Sequence, residues 1–209
     1  MFFNQPTPDQ YSRLIILTAT FTVFNVKLST MSILEIVKIF TGRIVTLNQE
    51  KVRLPDGTVD DLEIIHHPGG TAIVAVNNNN EVCLLRQYRH AMQDWVWEIP
   101  AGILETDDNN PLQRAKKELQ EESGCTAEKW CELGKVQSSP GVFTEVVHLF
   151  LAQELAVGEQ QLEHGEVLEV HWLPLSEAIR QVHDGIINDA KTCVALFRAA
   201  KKLNAVHEK

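Results

Sequence analysis

The chain has 209 residues, a mass of 23.6 kDa and a formal net charge of −9, from 19 Lys plus Arg against 28 Asp plus Glu. Its 44% hydrophobic content and sparse Gly (11) and Pro (8) exclude collagen-like, mucin-like and charge-dominated disordered chains. The acidic balance argues against a general nucleic-acid binder but permits an anionic small molecule bridged through a divalent cation. One compact domain with an appendage fits the length. Cys83, Cys125, Cys131 and Cys193 form no CxxC and no zinc-ligand spacing, so they read as thiols of a reducing, cytoplasmic protein.

Residues 1–30 contain an apolar run, Leu14 to Val26, without charge. Its 13 residues fall short of the roughly 20 that span a bilayer, so membrane insertion is not expected. An upstream extension, an added strand or dimer contact, and a membrane or targeting role all remain open. Leu34 to Asn48 reads as β-structure, Asp56-Gly57 as a turn, and Val59 to His67 as extended. Thr71 to Val76 is a short apolar strand. Asn77 to Asn80 marks a hairpin turn, with Val82 to Gln87 returning. Val96 to Ile99 is short and stops at Pro100-Ala101-Gly102.

Leu112, Ala115 and Leu119 then recur at helical spacing, with Asn110 or Asn109 as N-cap, Pro111 in the first turn and Gly124 at the C-terminus. Strands follow at Trp130 to Gln137, Val142 to Gln153 and Val167 to Leu173. Ser176 and Asp189 are expected to cap two closing helices, one ending at Gly185 and one near Leu203. Helices between and after strands predict an α+β layering, with helices on the faces of a sheet.

The chemistry concentrates in Gly102 to Cys125. Glu118 and Glu122 lie one turn apart on one helical face, and Glu121 flanks them. Oxygen-only ligands of this kind suit Mg²⁺, with Mn²⁺ able to substitute, rather than zinc. The plainer alternative is a solvated face with Lys117 paired to Glu121.

Gly102, Glu118, Leu119, Glu121, Glu122 and Gly124 resemble the signature G-x5-E-x7-R-E-U-x-E-E-x-G-U of the Nudix hydrolase family. Two departures stand out. Lys117 occupies the arginine position, and the stretch before it is one residue longer, with Asp108 beside Asn109 at the early glutamate. The resemblance extends to the ADP-ribose pyrophosphatase branch through Arg86-Gln87-Tyr88-Arg89, Glu98-Ile99-Pro100-Ala101-Gly102, Ser139-Pro140-Gly141 with Glu145, and Asp189-Ala190-Lys191-Thr192.

The resemblance implies an α/β/α sandwich with a mixed central sheet. It implies residues 59–209 as the Nudix domain and 31–58 as N-terminal strands able to form a dimer. Glu118, Glu121, Glu122 and the Ala101 carbonyl become the implied metal ligands. Glu166 becomes the implied general base, with Glu163 next and Glu121 as the helix alternative. Arg86, Arg89, Glu98, Tyr88, Trp97 and Pro140 become implied substrate contacts. The implied reaction is Mg²⁺-dependent hydrolysis of ADP-ribose to AMP and ribose 5-phosphate by a homodimer. The alternatives are another nucleoside diphosphate sugar such as GDP-mannose, or a weakly catalytic nucleotide-sugar-binding domain.

Overall fold

The computed structural model describes residues 32–105, 110–162 and 165–207. The apolar run at Leu14 to Val26 lies outside them. The first sheet is antiparallel, in the order β1 (Ser32–Thr41), β2 (Thr46–Arg53), β3 (Val59–His66). The stretch expected as β-structure, Leu34 to Asn48, is β-structure and divides between two strands. Gly42 closes a tight turn between them, its N–H donating to Val45 O at 2.8 Å. The second turn has Gly57 at φ +91°, a conformation that glycine adopts without strain.

The central sheet has the order β7 (Ala101–Ile103), β4 (Gly70–Ala75), β9 (Val146–Val157), β8 (Cys125–Gln137). It is mixed, because β4 runs parallel to β9 and antiparallel to β7. Every residue of β4 is buried, as expected for a strand covered on both faces. Ala72 and Val74 pack with Leu149, Leu151 and the apolar stripe Ala195, Leu196 and Ala199 of α3 (Ala190–His207). Ile73 and Ala75 face the other way, onto Phe150 and onto Ala115 and Leu119 of α1 (Pro111–Ser123). Alternate residues of one strand thus hold two helices apart, giving the α/β/α layering of an α+β fold, as the resemblance implies.

A third sheet, in the order β10 (Leu168–Pro174), β5 (Glu81–Arg89), β6 (Asp94–Glu98), carries the remaining strands. The asparagine run does make a turn, with Asn80 at φ +59° and its N–H on Asn77 O. It is not a hairpin between paired strands. β4 and β5 share only the Val76–Val82 bridge and then diverge into different sheets. Turn chemistry sets the reversal, and burial of both flanking strands sets where they go.

Asn110 is the N-cap of α1, its side chain accepting from Leu112 N–H at 3.0 Å, and Gly124 ends the helix at φ +72°. Asp189 Oδ2 accepts from Thr192 N–H at 3.0 Å and starts α3 as expected. Ser176 does not cap α2 (Leu175–His183). The chain enters that helix at Pro174 with no side-chain cap.

Candidate active site

On α1, Arg114, Glu118 and Glu122 recur at four-residue spacing, and all three are buried. Glu118 is 4% and Glu122 2% exposed, which removes the solvated-face alternative. Such carboxylates need compensation. Arg114 supplies it for Glu118, with Nη2 2.5 Å from Oε1, while its Nη1 reaches Glu105 Oε1 at 2.7 Å. Among the described residues Glu122 has one hydrogen-bond donor, the Ala101 N–H on Oε2 at 2.8 Å, with the Arg89 charge acting without a direct contact. Burial, with the charges of Glu118 and Glu166, therefore pushes the Glu122 carboxyl up to about 8, against the pull of that amide. Glu121 pairs through Oε1 with Lys117 Nζ at 3.3 Å, while its buried Oε2 has no hydrogen-bond partner.

Two glycines fit this row to its surroundings. A Cβ on Gly102 would run into the Glu118 carboxylate, so the strand can lie against that side chain only without one. A Cβ on Gly124 would come within 2.8 Å of Gly158 O. The segment after β9 crosses there and bonds to the end of α1. Gly158 N–H donates to Gly124 O (2.7 Å), Gln160 Nε2 to Glu122 O (2.6 Å) and Gln161 N–H to Glu121 O (2.9 Å).

The opposite wall joins β5, β6 and α3. Arg89 grips Glu98 with two hydrogen bonds, Nε to Oε1 at 2.8 Å and Nη2 to Oε2 at 2.7 Å. Lys191 Nζ adds a third at 2.8 Å and also meets Asp189 Oδ2 at 3.1 Å. Burial opposes ionisation of Glu98, but the Arg89 and Lys191 contacts outweigh it and hold the carboxyl at about 2. Thr192 Oγ1 accepts the Ile99 N–H at 3.1 Å, fastening α3 to the end of β6.

Between the walls lies a cleft of about 900 Å³. Ala101, Glu118, Arg89, Tyr88, Pro140 and Glu166 all line it, with Lys191, Lys135 and Arg198 adding positive charge. Glu166 sits beside Val167, whose carbonyl accepts the Tyr88 N–H at 3.1 Å. Arg86 and Trp97 do not line the cleft. Strand alternation puts Arg86 on the outer face of β5, with its guanidinium 5.5 Å from the Trp95 ring centroid. Trp97 packs on the core and meets His171 edge-on at 4.9 Å. Glu98 stands behind Arg89 and Lys191. Glu163, Asp108 and Asn109 lie outside the described residues.

Among the described residues, no three His, Cys, Asp or Glu side chains stand in a metal-ligating group. Glu118 is turned to Arg114 and Glu122 to the Ala101 amide. The donor set still fits a hard divalent cation. It is all oxygen, it contains the orphaned buried Glu121 Oε2, and the missing Cβ of Gly102 leaves Glu118 room beside Ala101.

The NUDIX domain model matches residues 66–196, well over half of the chain. The chain belongs to the Nudix family. It is 38% identical over 161 residues to the ADP-ribose pyrophosphatase of Bacillus subtilis (strain 168), covering 76% of this chain and 86% of that protein. It is 33% identical over 158 residues to the GDP-mannose pyrophosphatase of Cronobacter sakazakii, covering 68% and 82%. A solved crystal structure of an ADP compounds hydrolase superposes with a TM-score of 0.74 at 21% identity, over 85% of this chain and 96% of that one, which shows the fold. The chain is thus a Nudix pyrophosphohydrolase close to the ADP-ribose pyrophosphatase branch. The relatives carry the names of more than one substrate, so the broader substrate reading is supported ahead of ADP-ribose alone.

Three contributors of this Nudix site were not picked out from sequence. Arg114 was detectable, because it stands four residues before Glu118, the spacing that links Glu118 to Glu122. Lys191 as the partner of Glu98 had no local signal, the two being 93 residues apart. Gln160 on the Glu122 carbonyl is equally non-local.

Proposed function

We propose that the chain hydrolyses the diphosphate bond of nucleoside diphosphate sugars, with ADP-ribose the first substrate to expect, giving AMP and ribose 5-phosphate. One observation carries this reading: Glu118, at the head of a buried carboxylate row, and the cations Arg89 and Lys191 line one cleft of about 900 Å³. Glu118, Glu122, Glu121 and the Ala101 carbonyl are the residues that would hold Mg²⁺, with Mn²⁺ able to substitute. When bound, the metal supplies charge neutralisation of the phosphate oxygens and acidification of water.

The chain's own groups do the rest. Arg89, fixed by Glu98, and Lys191 set positive charge where the diphosphate enters. Glu166 takes the proton of the attacking water, a phosphorus–oxygen bond breaks, and the proton passes on to the leaving phosphate. Glu121 is the alternative base. Tyr88 and Pro140 give the base or sugar apolar contact. GDP-mannose is the second substrate reading, supported by the 33% identical pyrophosphatase.

Pairing with a second copy of the chain completes the proposal. The strand β1 leaves Ile33, Ile36, Ile39 and Phe40 more than half exposed, a cluster of apolar side chains suited to an interaction surface. Light scattering on the purified chain should give twice the 23.6 kDa chain mass. A Phe40→Glu variant should shift it toward the monomer.

The activity test is release of AMP and sugar phosphate from a panel of nucleotide sugars with Mg²⁺, read as inorganic phosphate after phosphatase treatment. Turnover of ADP-ribose ahead of GDP-mannose is expected. No turnover of any panel member would overturn the reading.

A further inference from the structure

On the reading of Glu118 and Glu122 as metal ligands, we propose that Arg114 is a resident counter-cation that the metal must displace from Glu118. Metal affinity of the free enzyme is then set by this exchange. The geometry has three parts. Arg114 is itself buried, at 9% exposure, so its charge is poorly screened. Its two terminal nitrogens serve different anions, Nη2 the buried Glu118 and Nη1 the exposed Glu105. It also lines the cleft beside Ala101 and Gly102.

A guanidinium held in this way can release one carboxylate and keep the other. Without a cation on Glu118, the neighbouring Glu118 and Glu122 charges repel, and Glu122 already feels that repulsion. Arg114 relieves it in the free protein. When a divalent ion takes Glu118, Arg114 stays tethered to Glu105 in the cleft wall, where its charge meets an incoming diphosphate.

Lys117 cannot do this. It stands at the arginine position of the family signature, but its side chain is 52% exposed and paired with Glu121. The role falls to Arg114, one turn before Glu118.

The test is Mn²⁺ binding to the full chain without substrate, read by electron paramagnetic resonance of the free ion, alongside thermal melting. Arg114→Gln should tighten Mn²⁺ by at least about tenfold, a floor for removing a unit charge a few ångströms away at the effective dielectric of a protein site. It should also lower the melting temperature of the metal-free protein and enlarge the rise that Mn²⁺ produces. Arg114→Lys keeps the charge and should bind Mn²⁺ close to the parent chain. Glu105→Gln should act in the opposite direction, weakening Mn²⁺ by roughly twofold, because Arg114 loses one anion that competes with Glu118 for it.

Unchanged or weaker Mn²⁺ binding in Arg114→Gln overturns the exchange. So does tighter binding in Glu105→Gln. A merely structural Arg114 would lower the melting temperature and loosen Mn²⁺ together. Glu122→Gln separates the underlying assignment. If it binds Mn²⁺ like the parent chain, the carboxylates are not the ligands, and both the ligand reading and the exchange fall. If it loses Mn²⁺ while Arg114→Gln shows no tightening, only the exchange falls.

Discussion

Glu98 and Glu122 are both buried carboxylates within a few residues of Ala101 in space or sequence, and their environments drive them in opposite directions. Glu98 is clamped by Arg89 and Lys191 and held at about 2. Glu122 has an amide and two like-charged neighbours, and burial leads in pushing it to about 8. The first is a satisfied structural anion. The second is short of positive charge, the condition of a site built to receive a cation. Burial alone therefore does not mark a functional acid. The balance of partners does.

The sharpest way to break this contrast is to neutralise each carboxylate in turn. Glu122→Gln should leave melting unchanged or raised, because an uncompensated buried acid is removed, while kcat falls by roughly 10²-fold or more. Near-normal turnover at saturating Mg²⁺ would place the metal elsewhere. Glu166→Gln should lower kcat by about 10²-fold with little change in KM, as for loss of a proton acceptor. If it is silent, the base lies on α1, with Glu121 the candidate.

Glu98→Gln should do the reverse of Glu122→Gln and cost stability, at most about 3 kcal/mol, because Arg89 and Lys191 lose their buried anion. The pH dependence has a fixed sign. A carboxyl held at about 2 instead of the ordinary 4.5 adds stability that is full above 4.5 and lost as pH falls toward 2. Melting temperatures between pH 5 and 3 should fall less steeply in Glu98→Gln than in the parent. The smallest effect separates the two arginines of β5. Arg89→Ala should raise KM at least about tenfold, and Arg86→Ala, stacked on Trp95 outside the cleft, no more than about twofold.

The two walls also differ in how much of them the sequence disclosed. The α1 wall was nearly all legible. Gly102, Glu118, Glu121, Glu122 and Gly124 are close in sequence, and helical periodicity converts spacing into a face. What went unread there was Arg114, although it obeys the same four-residue rule. The opposite wall could not be assembled from spacing, since Glu98 meets Lys191 only once α3 folds back over β6. Arg86 and Arg89 were both expected at the substrate, but residues three apart in a strand point to opposite faces, and only the fold shows which face meets the cleft. The same limit applied at Asn77 to Asn80. The turn was plain, but the parting of β4 and β5 into separate sheets depends on packing contributed by distant helices. Ser176 looked like a cap by composition, yet Pro174 sets the start of α2.

The bonds that fasten residues 158–161 to the end of α1 have a consequence for reach. Gln161 is moored to Glu121, and Val167 to Tyr88, so a backbone hydrogen bond holds the chain on each side of Glu166. Its contour from Gln161 to Glu166 is at most about 3.5 Å per residue over five residues, roughly 17 Å, and the far mooring is one residue from the acid. On the proposed reading of Glu166 as the base, these bonds keep it at high local concentration against the carboxylate row. Added glycines between Leu162 and Gly165 would dilute it only slowly, since closure entropy grows with the logarithm of loop length. Cutting the Gln161 mooring would move the upstream tie back only to Gln160 and Gly158, whose own bonds to the end of α1 remain.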